Sequence, residues 1–256
     1  MNATGSIILF PLGVFLVATE PVRGPGAWFL LGTILFHVAY FITLSRAYVA
    51  SDFSLVYPIS RGLGSTVVPI IGILILHETV ALAAAIGIAL VILGIGIIHG
   101  IAQRGKPTLN PLTMLGSRGT QYALLTGIII AIYSTWDKVG VTYVHPLLYM
   151  YSISLGVTLM LIPYQARVHG FRTVMDEWKN SLSPIVIGSL MVFSAYALVL
   201  IALTTSRVSY VAPTREVGLV FGLVLGWLVL KEKITKGRAI GSLSIVAGLI
   251  LLGIAP

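Results

Sequence analysis

Nine stretches of this chain are long and apolar enough, or nearly so, to cross a lipid bilayer as helix: 4–20, 27–49, 53–76, 79–100, 119–140, 146–165, 184–204, 208–230 and 238–255. A hydrocarbon core of about 30 Å takes about 20 apolar residues in helical form. None of the nine alternates with the two-residue period of a strand. Lipid offers no partner to backbone N–H and C=O groups, so each span must satisfy its own, and an all-α membrane bundle of about nine transmembrane helices is expected. Only 9% of the residues are charged, against roughly 25% in a soluble domain. The solvent is therefore lipid, and the expected location is the cell (inner) membrane, as a multi-pass protein. The longest links, 101–117 and 165–183, leave no room for a soluble domain.

Composition excludes several function classes. The chain has no cysteine, which rules out a disulfide framework, thiol catalysis and thiolate metal sites. The formal charge of +8 would raise the question of nucleic acid in a soluble protein. Here the basic residues sit in short segments between apolar runs, where membrane topology puts them, so nucleic-acid binding is not expected. The N-terminal run lacks a basic region and contains Pro11, which argues against a cleaved signal peptide. No HExxH, paired-carboxylate, triad or P-loop constellation is present, so the chain reads as neither an enzyme nor ATP-driven, with no metal and no cofactor.

The chain repeats itself. Residues 57–78, YPISRGLGSTVVPIIGILILHE, align with 211–232, VAPTREVGLVFGLVLGWLVLKE, at a shift of 154. Arg61 meets Arg215, Gly64 meets Gly218, Gly72 meets Gly226 and Glu78 meets Glu232; Pro58 lies one position off Pro213. The register continues, with Gly87 on Gly241 and Gly94 on Gly248, and Ala39-Tyr40 resembles Ala195-Tyr196 with a small slip. Shared Arg, Glu and glycines at one shift are hard to obtain from chance likeness between apolar helices. The chain divides into a first repeat at 1–100 with four helices, a linker at 101–118, and a second repeat at 119–256 with five. An odd number of spans per repeat inverts the second copy, so a pseudo-two-fold in the membrane plane is expected. The 4+5 count is that of a 5+5 ten-helix design whose first helix would precede Met1 or is absent.

Basic residues give an orientation. One face receives Arg46, Arg104, Lys106, Arg118, Arg167, Arg172, Lys179, Lys231, Lys233, Lys236 and Arg238; the other receives Arg23, Lys138 and Arg207. The positive-inside rule makes the first face cytoplasmic and puts the C-terminus outside.

The motifs SDFSLVYPISRG (51–62) with LHE (76–78), VAPTREVG (211–218) with LKE (230–232), and AIYSTWDKVGV (131–141) resemble EamA-type ten-helix transporters of the drug/metabolite transporter superfamily. The resemblance covers essentially the whole chain apart from the first helix. It implies a small-molecule substrate and a helix bundle built from inverted repeats. The D-x-S-x-V-Y-P-x-x-R-G form is similar to a branch associated with phosphonate utilisation. Two departures stand out: the missing helix normally lines the central cavity, and relatives keep the C-terminus cytoplasmic.

Candidate site residues follow from ionisable groups inside apolar spans. Arg61 and Arg215 each lie about eight residues, hence about 12 Å, into a span. An arginine at that depth costs at least about 2.5–3.5 kcal/mol and turns to a polar cavity or a partner. Glu216, next to Arg215, offers such a partner, so substrate binding and simple fastening both stand as readings. Pro58 and Pro213 precede the arginines and free backbone carbonyls, marking helix breaks. Tyr57, Tyr210, Tyr40 and Tyr196 lie beside them or on the preceding helices and suit a pocket for a small amphipathic ligand. His37, mid-span, is a residue that can take a proton near neutral pH, although a backbone-bonded histidine is the commoner case. Asp137 and Lys138 end 119–140 near the outer face and read as a compensating charge pair in the headgroup region, with Asp137 in a vestibule as the sharper alternative. Asp52 reads as an N-cap, and Glu78 and Glu232 as topological punctuation.

The expected function is secondary transport, in the export direction, of a small polar metabolite such as an amino acid or organic anion, by alternating access. The rival is a non-transporting helper or scaffold whose buried charges serve assembly. The expected partners are the substrate and the bilayer, and a homodimer is allowed. Single cysteines placed at Thr108 and Thr173 should resist an impermeant thiol reagent in intact cells and react after permeabilisation; ready labelling of both in intact cells would reverse the orientation.

Overall fold

The computed structural model describes residues 2–102, 117–231 and 235–255. Arg104, Lys106 and Thr108 of the linker, and Glu232 and Lys233, lie outside the described residues. Twelve helices follow one another among the described residues: α1 Asn2–Ile8, α2 Phe10–Thr19, α3 Gly26–Ala50, α4 Phe53–Leu74, α5 Leu82–Ala102, α6 Arg118–Gly140, α7 Pro146–His169, α8 Phe171–Asn180, α9 Leu182–Thr205, α10 Val208–Thr214, α11 Val217–Leu230 and α12 Lys236–Ile254. No strand occurs among the described residues. All nine apolar stretches of the sequence fall on these helices.

Among the described residues six spans are long and apolar enough to cross a membrane: α3, Leu55–Leu74 within α4, Pro146–Val168 within α7, α9, Val208–Val229 across α10 and α11, and α12. The pair α1 and α2 makes a seventh if taken as one span bent by 68°. The bend has a cause in the sequence. Pro11 stands in the first turn of α2, where its ring excludes the carbonyl one turn earlier and its missing N–H costs nothing.

By packing, the chain forms two compact units, each drawn from both halves of the sequence. The first comprises Met1–Ala39 and Trp136–Thr205. Within it α1, α2, α8 and α9 pack on α7. The link at 165–183 is not simply a polar connection. Gly170, at φ 82°, ends α7 in a conformation a side chain would strain. Phe171, Val174, Met175 and Trp178 then recur at helical spacing on α8, with charges on the other face, the pattern of an interfacial helix. Trp178 Nε1 donates to Thr4 Oγ1 at 3.0 Å.

The second unit comprises Tyr40–Thr135 and Ser206–Pro256. Its core is the pair α5 and α12, built on Ala84, Ile88, Val91, Ile95, Ile245 and Leu252. Glycines let the two backbones touch. A Cβ on Gly87 would lie 2.7 Å from the carbonyl of Gly248, and one on Gly94 would lie 2.6 Å from that of Gly241. These contacts exchange under the 154-residue shift, because Gly87 corresponds to Gly241 and Gly94 to Gly248. Ser244 donates to the carbonyl of Leu90 at 2.8 Å, and 90 and 244 are themselves equivalent. A seam with that reciprocity is antiparallel and has a local two-fold axis near Leu90 and Ser244. A second trace of the repeat is conformational: His77 and Lys231, equivalent positions, both take left-handed φ, 53° and 54°.

Glu78, next to His77, caps a helix rather than punctuating topology. Its carboxylate accepts from the N–H groups of Val208 (2.8 Å) and Ser209 (3.0 Å) and from the Ser209 hydroxyl. It thereby satisfies donors at the N-terminus of α10 with a favourable charge. Asp52 occupies the N-cap position of α4, but its side chain makes no capping hydrogen bond.

Gly94→Ala should cost about 1–3 kcal/mol through overpacking of the seam and reduce monodisperse protein after heating in detergent. Gly96, whose Cβ would meet nothing within 4 Å, provides the control. Equal stability of Gly94→Ala and Gly96→Ala would show that the seam does not hold the pair together.

Candidate functional site

Within the second unit, α4 and the α10–α11 junction bring three ionisable groups to one point. Arg61 Nη2 lies 3.2 Å from Glu216 Oε1. Ser65, one turn after Arg61 on the same helix, donates to that oxygen at 2.7 Å. Glu216 is 2% exposed and Arg61 23%. Arg215 reaches the hydroxyls of Ser134 (3.4 Å) and Tyr133 (3.5 Å), both on α6, at the outer limit of hydrogen-bond length. Arg61, Ser65, Ser134, Arg215 and Glu216 line a common cavity with apolar walls. Its free volume is about 10 Å³, about what one water molecule needs.

The backbone explains how Arg215 and Glu216 reach the cavity. Helix α10 ends just after Pro213, and α11 begins at Val217. Across the gap the amides of Glu216, Gly218 and Leu219 donate to the carbonyls of Pro213 (3.1 Å), Arg215 (3.3 Å) and Glu216 (3.0 Å). These three-residue steps tighten the chain into a 3₁₀-like joint inside an otherwise continuous span. At the equivalent point of the first copy the backbone stays helical through Pro58, which lies early in α4. One missing N–H so near a helix start need not end it. The two copies also differ in charge: position 62, equivalent to Glu216, is Gly62. The cluster thus holds two guanidinium groups and one carboxylate.

The ion pair is incompletely satisfied. Arg61 Nε and Glu216 Oε2 are buried and make no hydrogen bond among the described residues. Each such group costs at least about 1–3 kcal/mol. One is a donor and the other an acceptor.

The remaining candidates are distributed as follows. Tyr40 packs edge-on against Tyr133, with ring centroids 5.8 Å apart, and so stands behind the hydroxyl that faces Arg215. Tyr57 lies one turn before Arg61 and is half-buried. Tyr210 is engaged elsewhere in the unit: its hydroxyl accepts from the Ala81 amide (3.2 Å) and from Arg207 (3.2 Å). Tyr196 and His37 belong to the first unit, where they gather around Asp137. Asp137 is fully buried and does not pair with Lys138, whose ammonium donates to the Leu203 carbonyl at 2.7 Å. Its adjacency to lysine in sequence suggested a headgroup pair. The helix turns the two side chains to different partners, because neighbouring residues on a helix do not face each other.

The family model of the EamA-like transporters matches residues 117–254, more than half of the chain. The chain belongs to the EamA-like transporter family. A model of the Small Multidrug Resistance proteins matches residues 23–91. Both describe membrane transporters of the drug/metabolite type, and this EamA-like protein is such a transporter, moving a small molecule across the bilayer that surrounds it. The family is one of transporters, in keeping with the expectation that the chain is not an enzyme. No curated protein matches. A crystal structure of a protein 15% identical to this one gives a TM-score of 0.76, covering 99% of this chain and 87% of that chain; at that identity the likeness is one of fold.

Proposed function

We propose that this EamA-like protein is a secondary exporter, in the cell (inner) membrane, of a small metabolite that is anionic or zwitterionic, with Arg61, Arg215 and Glu216 at its binding site. The observation that carries the reading is the pair of unsatisfied atoms, Arg61 Nε and Glu216 Oε2, in one cavity with a second arginine. A ligand with an anionic group would accept from the guanidiniums, whose planar fork suits a carboxylate or phosphonate. Its ammonium, if it has one, would donate to Glu216 Oε2. The two-to-one excess of guanidinium over carboxylate favours an anion before a cation. Tyr40, Tyr57, Tyr196, Tyr210 and His37 remain proposals as binding residues. Of these, Tyr40 has the strongest support, through Tyr133. Export is supported by the match to a resistance-protein model.

A cavity the size of one water cannot hold a metabolite, so loading requires the elements around it to move apart. The 3₁₀-like joint at Arg215-Glu216 is the natural place for that movement, since few-residue breaks at element ends absorb backbone change. The first and second repeats, 1–100 and 119–256, would then be the inverted halves of an alternating-access cycle, a reading the reciprocal glycine seam supports.

The 3.2 Å ion pair between Arg61 and Glu216 favours a second reading, in which the charges only fasten the bundle. The two diverge on mutation. If the site binds substrate, Arg61→Lys and Arg215→Lys leave folded protein but weaken uptake of labelled anionic or zwitterionic metabolites into vesicles tenfold or more, a loss of about 1.5–3 kcal/mol, and the alanine variants abolish it. If the charges only fasten, the alanine variants lower the yield of folded protein and the surviving molecules transport normally. Full transport by well-folded Arg61→Ala and Arg215→Ala proteins contradicts the binding role.

A further inference from the structure

The first unit contains a second buried acid that the substrate site does not use. Asp137 is 0% exposed, near the end of α6. Both of its oxygens face tyrosine hydroxyls: Tyr149 lies 2.9 Å from Oδ1 and Tyr196 lies 2.6 Å from Oδ2. No lysine or arginine pairs with Asp137 among the described residues. A carboxylate held permanently ionised in such a place would need a cation close by, because burying an unpaired charge is far costlier than burying a neutral acid.

The hydroxyl of Tyr149 has two acceptors within reach. Besides Asp137 Oδ1, it lies 3.3 Å from the carbonyl of Phe29. A phenol has one proton and can donate it to only one of them. With Asp137 ionised, Tyr149 donates to Oδ1. With a proton on Oδ1, the carboxyl becomes the donor, Tyr149 Oη accepts, and the phenol proton turns to the Phe29 carbonyl. The network therefore satisfies both protonation states by rotating one hydroxyl, and no buried donor is stranded in either.

Among the described residues of the first unit, these are the other titratable and charged groups near this point. On α3, His37 is 7% exposed, and its ring packs edge-on against Tyr196 with centroids 5.4 Å apart. Its Nδ1 lies 2.9 Å from the Thr33 carbonyl and 3.2 Å from the Thr33 hydroxyl. On α7 there is Tyr149, and on α9 Tyr196. On α6 itself Lys138 is bonded to the Leu203 carbonyl. Trp136 Nε1, next to Asp137, donates to the same Phe29 carbonyl at 3.0 Å, so Tyr149 shares that acceptor when it turns to it.

We propose that Asp137, with Tyr149 as its switching hydroxyl, is a proton-binding site within the membrane-embedded bundle. The step is the addition and removal of one proton at Asp137 Oδ1, with no other bond made or broken. The proposal does not depend on the nature of the transported metabolite.

Infrared difference spectra of the purified full chain in detergent, taken between about pH 5 and about pH 9, test it without substrate. A carboxylic-acid carbonyl band should grow as pH falls, persist in Glu216→Gln and be missing from Asp137→Asn. Tyr149→Phe, which keeps the ring and removes only the hydroxyl, should displace the pH midpoint of the band by about one unit; it carries the test alone if Asp137→Asn does not fold. A band that ignores pH, that survives in Asp137→Asn, or that keeps its midpoint in Tyr149→Phe overturns the proposal. So does the absence of any such band in the wild type, the result expected if a bound alkali cation kept the carboxylate ionised.

Discussion

Lipid supplies no hydrogen bonds, and most of what is specific about this protein follows from that. Each span closes its own backbone bonds, and each polar side chain inside the bundle must find a partner in the protein. Serines and threonines do so cheaply, by turning back to a carbonyl one turn earlier, as Ser60, Thr66 and Thr126 do. Carboxylates, which only accept, cannot. Among the described residues Glu216 and Asp137 meet this in two clusters with different solutions. In the second unit a guanidinium faces a carboxylate and both keep an unused atom. In the first, a carboxyl is surrounded by hydroxyls that can serve it charged or neutral.

The scaffold that holds the arginine cluster rests on close backbone approach rather than on apolar burial. In a bilayer, lipid tails are as apolar as leucine, so helices gain by packing surfaces that fit and little by hiding hydrocarbon. The glycines of α5 and α12 supply that fit. Their reciprocal contacts mean that one short pattern, used twice, builds both sides of the seam. Where the copies differ, the difference has a chemical consequence. Glycine at 62 against glutamate at 216 makes the site asymmetric, and the 3₁₀-like joint after Pro213 has no counterpart in α4.

Apolar stretches and repeated residues made the helices legible in the sequence, since length and hydropathy alone decide what crosses a bilayer. The place of Arg61 and Arg215 within apolar spans was legible for the same reason, by counting residues into each span. Side-chain direction was not. Asp137 beside Lys138 looked like a self-compensating pair, and only the packing of α3, α7 and α9 around it shows a buried acid. Tyr149, which completes that cluster, carried no signal beyond being a tyrosine in a span. Ser65 and Ser134 could have been found by stepping one turn from Arg61 and by reading the polar residues of AIYSTW as a helix face. Glu78 was visible as a repeated acid, but its role as a cap depends on a contact 130 residues away in the chain. Helix α8 was hidden because its amphipathic period is short and flanked by charge.

The central claim is that the arginine cluster selects its ligand by charge, and a binding experiment reaches it without assuming a substrate. A panel of small metabolites of matched size, anionic, zwitterionic and cationic, can be added to the purified protein and the midpoint of thermal unfolding measured. A ligand that binds only the folded state stabilises it by about 2.7 kcal/mol at a hundred times its Kd. Anionic or zwitterionic members should raise the midpoint, and should lose that effect in Arg61→Lys and Arg215→Lys, while cations leave it unchanged. Stabilisation by cations alone, or by anions equally in the wild type and both lysine variants, would contradict the account.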